Sequence, residues 1–126
     1  MKKILTILII ALVSISPIFA QNNSTKKADK LFDRLEFVKA AEEYLKLADK
    51  SPDNYIIGKL ADSYYNIFNT REAEKWYSKI INDDPNAEVV FRYSEMLKAN
   101  GKYKESNVWM SKFSEIKPYD TRAIAF

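Results

Sequence analysis

Cysteine and histidine are both missing from this chain of 126 residues. Their absence removes the thiolate nucleophile, the usual general base and the ligands of most transition-metal sites. It also rules out disulfides and a lipid-bearing cysteine, so stability rests on packing alone. Two glycines and four prolines are too few for a collagen-like or low-complexity chain. A strong charge of one sign is lacking too. The formal net charge is +3, and without Lys2 and Lys3 the 20 basic residues become 18 against 17 acidic ones. That balance gives no electrostatic case for nucleic acid. The paired acids Glu42-Glu43 and Asp83-Asp84 read as solvated surface and a helix end, since adjacent helical residues do not face each other. Asp83-Asp84-Pro85-Asn86 lacks the glycine and distant glutamate of a calcium loop, and Ser78-Lys79 has no supporting base. The expectation is a protein without catalytic residues, metal or cofactor.

One long apolar run stands at the start. Met1-Lys2-Lys3 is basic, Ile4 to Ile15 is interrupted only by Thr6 and Ser14, and Ser16-Pro17-Ile18-Phe19-Ala20 ends in a small residue. This is the layout of a secretory signal, with cleavage after Ala20, although Ile18 is larger than the cleavage site prefers. A membrane anchor is the competing reading. The run is shorter than the ~20 residues a span needs, and Pro17 breaks it. Residues 1–20 are thus expected to be a signal peptide, leaving an exported chain from Gln21 with no stable membrane span. The ~100 remaining residues suffice for one domain.

What is present is a recurring pattern. Ala73, Tyr77, Ile80 and Pro85 return upstream as Ala40, Tyr44, Leu47 and Pro52, and downstream as Ser106, Met110, Phe113 and Pro118. Every column is offset by 33 residues, and a fixed period of about 20–50 residues marks a repeat array. The apolar spacing predicts helix pairs. A first helix runs from about Ser24, its cap, to Leu35, with Ala28, Leu31, Phe32 and Leu35 on one stripe. A second runs from Phe37 to Asp49, with Phe37, Ala40, Ala41, Tyr44, Leu47 and Ala48. Ser51-Pro52-Asp53-Asn54 stops it and caps the next. Ile57, Leu60, Ala61, Tyr64 and Phe68 form the third stripe. Thr70 is the expected cap of the fourth, which carries Ala73, Trp76, Tyr77, Ile80 and Ile81. Val90, Tyr93, Ser94 and Leu97 face inward on the fifth, which Asn100-Gly101 ends, because glycine takes a left-handed conformation freely. Tyr103, Ser106, Met110 and Phe113 make the sixth, and Asp120-Thr121 signals another start. Small residues align at Ala28, Ala61 and Ser94 and at Ala40, Ala73 and Ser106, allowing close helix approach. Larger ones (Leu31, Tyr64, Leu97; Tyr44, Tyr77, Met110) fill the space between pairs. Trp76 and Trp109 share a column that reads as packing between pairs, with a contact on the outer face as the alternative.

These residues resemble the tetratricopeptide repeat. Ile57, Leu60, Ala61, Tyr64, Ala73, Tyr77, Ile80 and Pro85 match its order of large, large, small, aromatic, small, aromatic, aliphatic and proline. Gly101 and Tyr103 match its turn. Ile57 stands where the family often has tryptophan, Thr70 where it often has an aromatic, and Ile80 where it prefers alanine. The resemblance covers 21–118 and implies an all-α, right-handed solenoid of three helix-turn-helix repeats, 21–53, 54–86 and 87–119, with 120–126 beginning a further helix. A narrower resemblance joins the signal, the repeats and the tail Lys117-Pro118-Tyr119-Asp120-Thr121-Arg122-Ala123. It is to the N-terminal part of envelope proteins of Bacteroidota, in which such repeats precede a β-propeller and an OmpA-like peptidoglycan-binding domain, some linked to type IX secretion. This implies a periplasmic or outer-membrane-associated chain that is a fragment or a truncated relative, reaching peptidoglycan only through a domain absent here.

The family resemblance also implies a groove lined by the first helices that holds partner segments, and hence a non-enzymatic interaction module. The matching positions are Asn22, Thr25, Asp29, Phe32 and Asp33; Tyr55, Gly58, Asp62, Tyr65 and Asn66; and Glu88, Phe91, Glu95, Lys98 and Ala99. Asp29, Asp62 and Glu95 form an acidic ladder, which argues against a carboxylate ligand. Lys26, Lys59 and Arg92 form a basic one three residues earlier, so the two ladders also read as simple ion pairs along each helix. Phe32, Tyr55, Tyr65 and Phe91 stand off the packing stripes, as exposed aromatic anchors for a partner or as tolerated surface residues. Gly58 is expected to leave a hollow among them. The expected ligand is a helical or extended protein segment with basic and apolar residues. The alternative is a self-standing scaffold that oligomerises through an open end exposing Val108, Met110 or Phe113.

Overall fold

A computed structural model describes residues 17–83 and 86–125, with side chains from Ser24 onward. Among the described residues all regular structure is α-helix: α1 (Pro17–Asp33), α2 (Phe37–Lys50), α3 (Asn54–Asn66), α4 (Thr70–Ile80), α5 (Ala87–Ala99), α6 (Tyr103–Ile116) and α7 (Thr121–Ala125). The expected signal peptide, Asp84, Pro85 and Phe126 lie wholly or mostly outside these residues. No described helix is long and apolar enough to cross a membrane.

Each helix packs on the next in chain order, and α3 also touches α5. α2, α4 and α6 start 33 residues apart, as do α3 and α5. That register follows from the apolar columns. Ala28, Ala61 and Ser94, and Ala40, Ala73 and Ser106, are all buried at 1% exposure or less. Side chains this small let paired helices approach closely. Where serine replaces alanine its hydroxyl is satisfied: Ser106 Oγ donates to the Ser94 carbonyl across the α5–α6 seam at 2.7 Å, and Ser94 Oγ donates within its own helix to the Phe91 carbonyl. Tyr44, Leu60, Tyr77, Leu97 and Phe113 fill the core between these seams, each stabilising by roughly 2 kcal/mol through apolar burial. Trp76 is buried, and Trp109 is half-buried with its ring 5.6 Å from that of Tyr93.

The turns inside the three pairs share one design. Leu35 N–H donates to the Phe32 carbonyl and Glu36 N–H to that of Leu31; Phe68 and Asn69 repeat this toward Tyr65 and Tyr64, and Gly101 and Lys102 toward Lys98 and Leu97. This pair of bonds satisfies the last free carbonyls of a helix and requires a left-handed residue at the corner. Gly101 meets that requirement at φ 81°, as its sequence context predicts, but Leu35 (φ 62°) and Phe68 (φ 56°) occupy the same corner. Both leave the apolar stripes assigned to them and stand 72% exposed.

Other local expectations are corrected. Ser24 does not cap α1. The helix begins a turn and more earlier at Pro17, a residue suited to a first helical position because it has no N–H to lose. Asn69, not Thr70, caps α4 by accepting from Glu72 N–H. Tyr103 is exposed at the start of α6. Asp53 and Asn86 cap α3 and α5. Met110 and Phe113 are buried, with the Arg122 guanidinium of α7 lying 5.2 Å from the Phe113 ring centre. Of the three residues expected at an open end, Val108 alone is exposed.

Candidate functional site

The face carried by α1, α3 and α5 holds the expected groove residues, but it is far more tied together than independent helices would be. Asp29 accepts from Tyr44 OH at 2.5 Å and from Tyr55 OH at 2.8 Å. Asp62 accepts from Tyr77 OH at 2.5 Å and from Arg92 Nη1 at 2.8 Å. Glu95 accepts from Tyr65 OH at 2.6 Å. Tyr44 and Tyr77 are 33 residues apart, so their two bonds are equivalent. Met110, next in that column, has no hydroxyl, and Glu95 turns to Tyr65 instead. The acidic ladder is therefore occupied by donors from neighbouring helices. The expected ion pairs along each helix give way to pairing between helices, as Arg92 reaches back from α5 to Asp62 on α3.

The basic residues finish the same lattice. Lys59 Nζ lies 4.1 Å from the ring centre of Phe32 and 5.9 Å from that of Tyr55. The Arg92 guanidinium lies 5.2 Å from the Tyr65 ring, and that of Arg122 lies 4.5 Å from the Phe91 ring. Arg122 is held in place by both oxygens of Glu88 and by Asp120. Three of the four aromatics expected as free anchors are thus half-buried beneath a cation. Only Tyr55, 51% exposed, presents a broad surface.

Burial and bonding shift the ionisable groups together. Burial raises the Asp29 carboxyl, but the hydroxyls of Tyr44, Thr25 and Tyr55 and the charge of Lys59 outweigh it and hold its pKa below the usual value. Burial first, and then the adjacent carboxylate, pushes Tyr55 and Tyr65 up to about 12 and raises Tyr44 and Tyr77 further. For Arg92, burial is outweighed by Asp62, and its pKa is raised. Among the described residues, no buried side-chain nitrogen or oxygen lacks a partner.

Two open clefts remain on this face. One of about 650 Å³ lies between the ends of α3 and α5 and beside α7. Tyr65, Asn66, Phe91, Glu95, Lys98 and Ala99 line it as expected, joined by Phe68, Met96, Arg122 and Ala125. The other, about 380 Å³, is the hollow at Gly58, lined also by Tyr55, Lys59, Asp62, Ile80, Asn86 and Val89. The face so divides the predicted set: Asp29 and Phe32 line neither cleft and serve the α1–α3 ties. Thr25 is buried and lines nothing, and the side chain of Asn22 lies outside the described residues. Asn66 donates to the carbonyl of Asp62, closing its own helix. Phe68 and Arg122 were not foreseen as lining residues. Phe68 read as part of an apolar stripe, and no local pattern announces that α7 returns to α5. No protein-family model matches the chain, and neither does any curated protein.

Proposed function

We infer that the chain is a non-catalytic protein-interaction module of the tetratricopeptide kind, a right-handed solenoid of three repeats (21–53, 54–86 and 87–119) that holds a partner segment along α1, α3 and α5. The carrying observation is that the two clefts open on one face, between helices that start in a 33-residue register. Aromatic walls interrupted by polar groups suit side chains of an extended or helical segment. The partner is expected to bring apolar side chains rather than a basic run, because Asp29, Asp62 and Glu95 already hold donors. The basic start, the apolar run and Ala20 support export, and with it a place in the periplasm or at the outer membrane. The further reading, as the N-terminal part of an OmpA-like envelope protein associated with type IX secretion, rests on the tail and the leader together.

Photo-crosslinking residues placed at Asn66 and Ala99, both exposed beside the larger cleft, test this in the native cell. They are expected to give discrete adducts with a protein partner. The same residue at Glu42 on α2 or Lys75 on α4 is expected to give none. Equal labelling from all four positions would contradict a binding face.

A further inference from the structure

Asn100 ends α5 within the dipeptide Asn100-Gly101, and its carboxamide is a strut between the second and third helix pairs. Its Oδ1 accepts from Thr70 Oγ1 at 2.7 Å, and its Nδ2 donates to the Thr70 carbonyl at 3.0 Å and to Glu74 Oε2 at 2.6 Å. Lys102 pairs with the other oxygen of Glu74. Beside this clasp a Cβ built on Gly101 would meet nothing within 4 Å, so no neighbouring side chain crowds the turn on that side. The Gly101 N–H is occupied by the Lys98 carbonyl at 3.0 Å.

We propose that Asn100 is a site of spontaneous deamidation, that the clasp controls the reaction, and that conversion unlatches the third helix pair from the second. Water is the only co-reactant. When the turn opens, the Gly101 nitrogen attacks Asn100 Cγ. The new N–Cγ bond forms, the Cγ–Nδ2 bond breaks, and ammonia leaves carrying the former Gly101 proton. Water then adds to the resulting cyclic imide and breaks one of its two C–N bonds, leaving aspartate or isoaspartate at position 100. While the clasp is shut, both carboxamide atoms and the Gly101 N–H are engaged, so the reaction draws on the locally opened population. The product cannot close again in the same way. A carboxylate only accepts, and two of the three former partner atoms, the Thr70 carbonyl and Glu74 Oε2, are acceptors as well. The new negative charge also faces Glu74. Conversion is therefore a one-way step from a tight junction to a loose one.

Peptide mapping by mass spectrometry of the full chain held at neutral pH tests the control. Glu74→Ala removes the carboxylate that holds Nδ2, and so is expected to speed conversion of residue 100 by about tenfold or more. Thr70→Val is expected to speed it as well, and Gly101→Ala to slow it. In the unmodified protein, urea below the unfolding transition is expected to raise the rate with concentration, a readout that needs no variant to fold. Asn100→Asp, mimicking the product, is expected to lower the unfolding midpoint and to speed amide exchange in α5 and α6. Conversion at the same rate in every variant and at every urea concentration would overturn the control. An Asn100→Asp protein as stable and as protected as its parent would overturn the unlatching.

Discussion

The junction between the first and second helix pairs and that between the second and third are built differently. At the first, α2 runs to Lys50, a short connection leads to Asn54, and α2 packs broadly along α3. Its polar ties are Tyr55 to Asp29 and the Lys59 cation over Phe32. At the second, α4 stops at Ile80, the connection to Ala87 is longer, and α4 meets α5 less extensively. Here Arg92, Asp62 and Tyr77 form a half-buried network, Tyr65 holds Glu95, and Asn100 clasps Thr70 and Glu74. Where helix-on-helix packing shrinks, directed polar bonds carry more of the register.

The largest effect should come from the centre of the second network. Arg92→Ala leaves Asp62 with one donor fewer and is expected to destabilise by about 2 kcal/mol, the range of hydrogen bonds to charged groups. Lys59→Ala, at the equivalent place in the first junction, removes a cation over Phe32 and Tyr55 and an attraction to Asp29 but no hydrogen-bonded ion pair, and should cost about 0.5 kcal/mol. Urea unfolding of the two variants side by side reads the difference, and equal losses would erase the distinction between the junctions.

The turns give the next effect. Leu35→Gly and Phe68→Gly are each expected to stabilise by about 1 kcal/mol, because a left-handed corner strains any residue with a Cβ. Gly101→Ala should destabilise by a similar amount. Thermal melts suffice for this comparison. Gly58→Ala is smaller still. Its new methyl would sit 3.5 Å from Ile80 Cδ1, an ordinary contact, so the gain in helix propensity of at most about 1 kcal/mol should survive while the smaller cleft loses volume.

These variants also mark what the sequence makes legible. The starts of α2 and α3, the small-residue columns and the Gly101 corner were readable because each depends on local spacing and on a residue's own backbone preference. Leu35 and Phe68 were misplaced because they keep helical spacing from the stripes before them. Nothing local says that the helix has already ended, and the corner is set by where the tertiary packing stops it. The ties of Asp29, Asp62 and Glu95 on this face were misread for a related reason, since Arg92 lies three residues from Glu95 in sequence yet bonds Asp62 on another helix. The hollow at Gly58 was legible only in part: the missing side chain leaves room, but of the four aromatics expected around it Tyr55 alone lines it.

Near neutral pH neither junction should respond to pH, and the response outside that window has a definite sign. The Asp29 carboxyl is held low in the folded chain, so its contribution is present above the ordinary carboxylate pKa and is lost as pH falls through its folded value. Tyr55 and Tyr65 are raised to about 12. Their contribution is complete below the ordinary tyrosine pKa of ~10 and is lost as pH rises from there through about 12. Melting temperatures across pH, followed with tyrosinate absorbance, should show a plateau with a fall on each side. Tyr65→Phe should soften the alkaline fall at the second junction and Tyr55→Phe at the first.

A double-mutant cycle on Asp62 and Arg92 tests most directly whether polar bonds between helices hold the second junction. Asp62→Ala, Arg92→Ala and the double variant would be unfolded in urea under one set of conditions. A coupling of about 1 kcal/mol or more is predicted, within the range found for residues sharing one network. Losses that add to within about 0.3 kcal/mol, as for independent sites, would contradict the account.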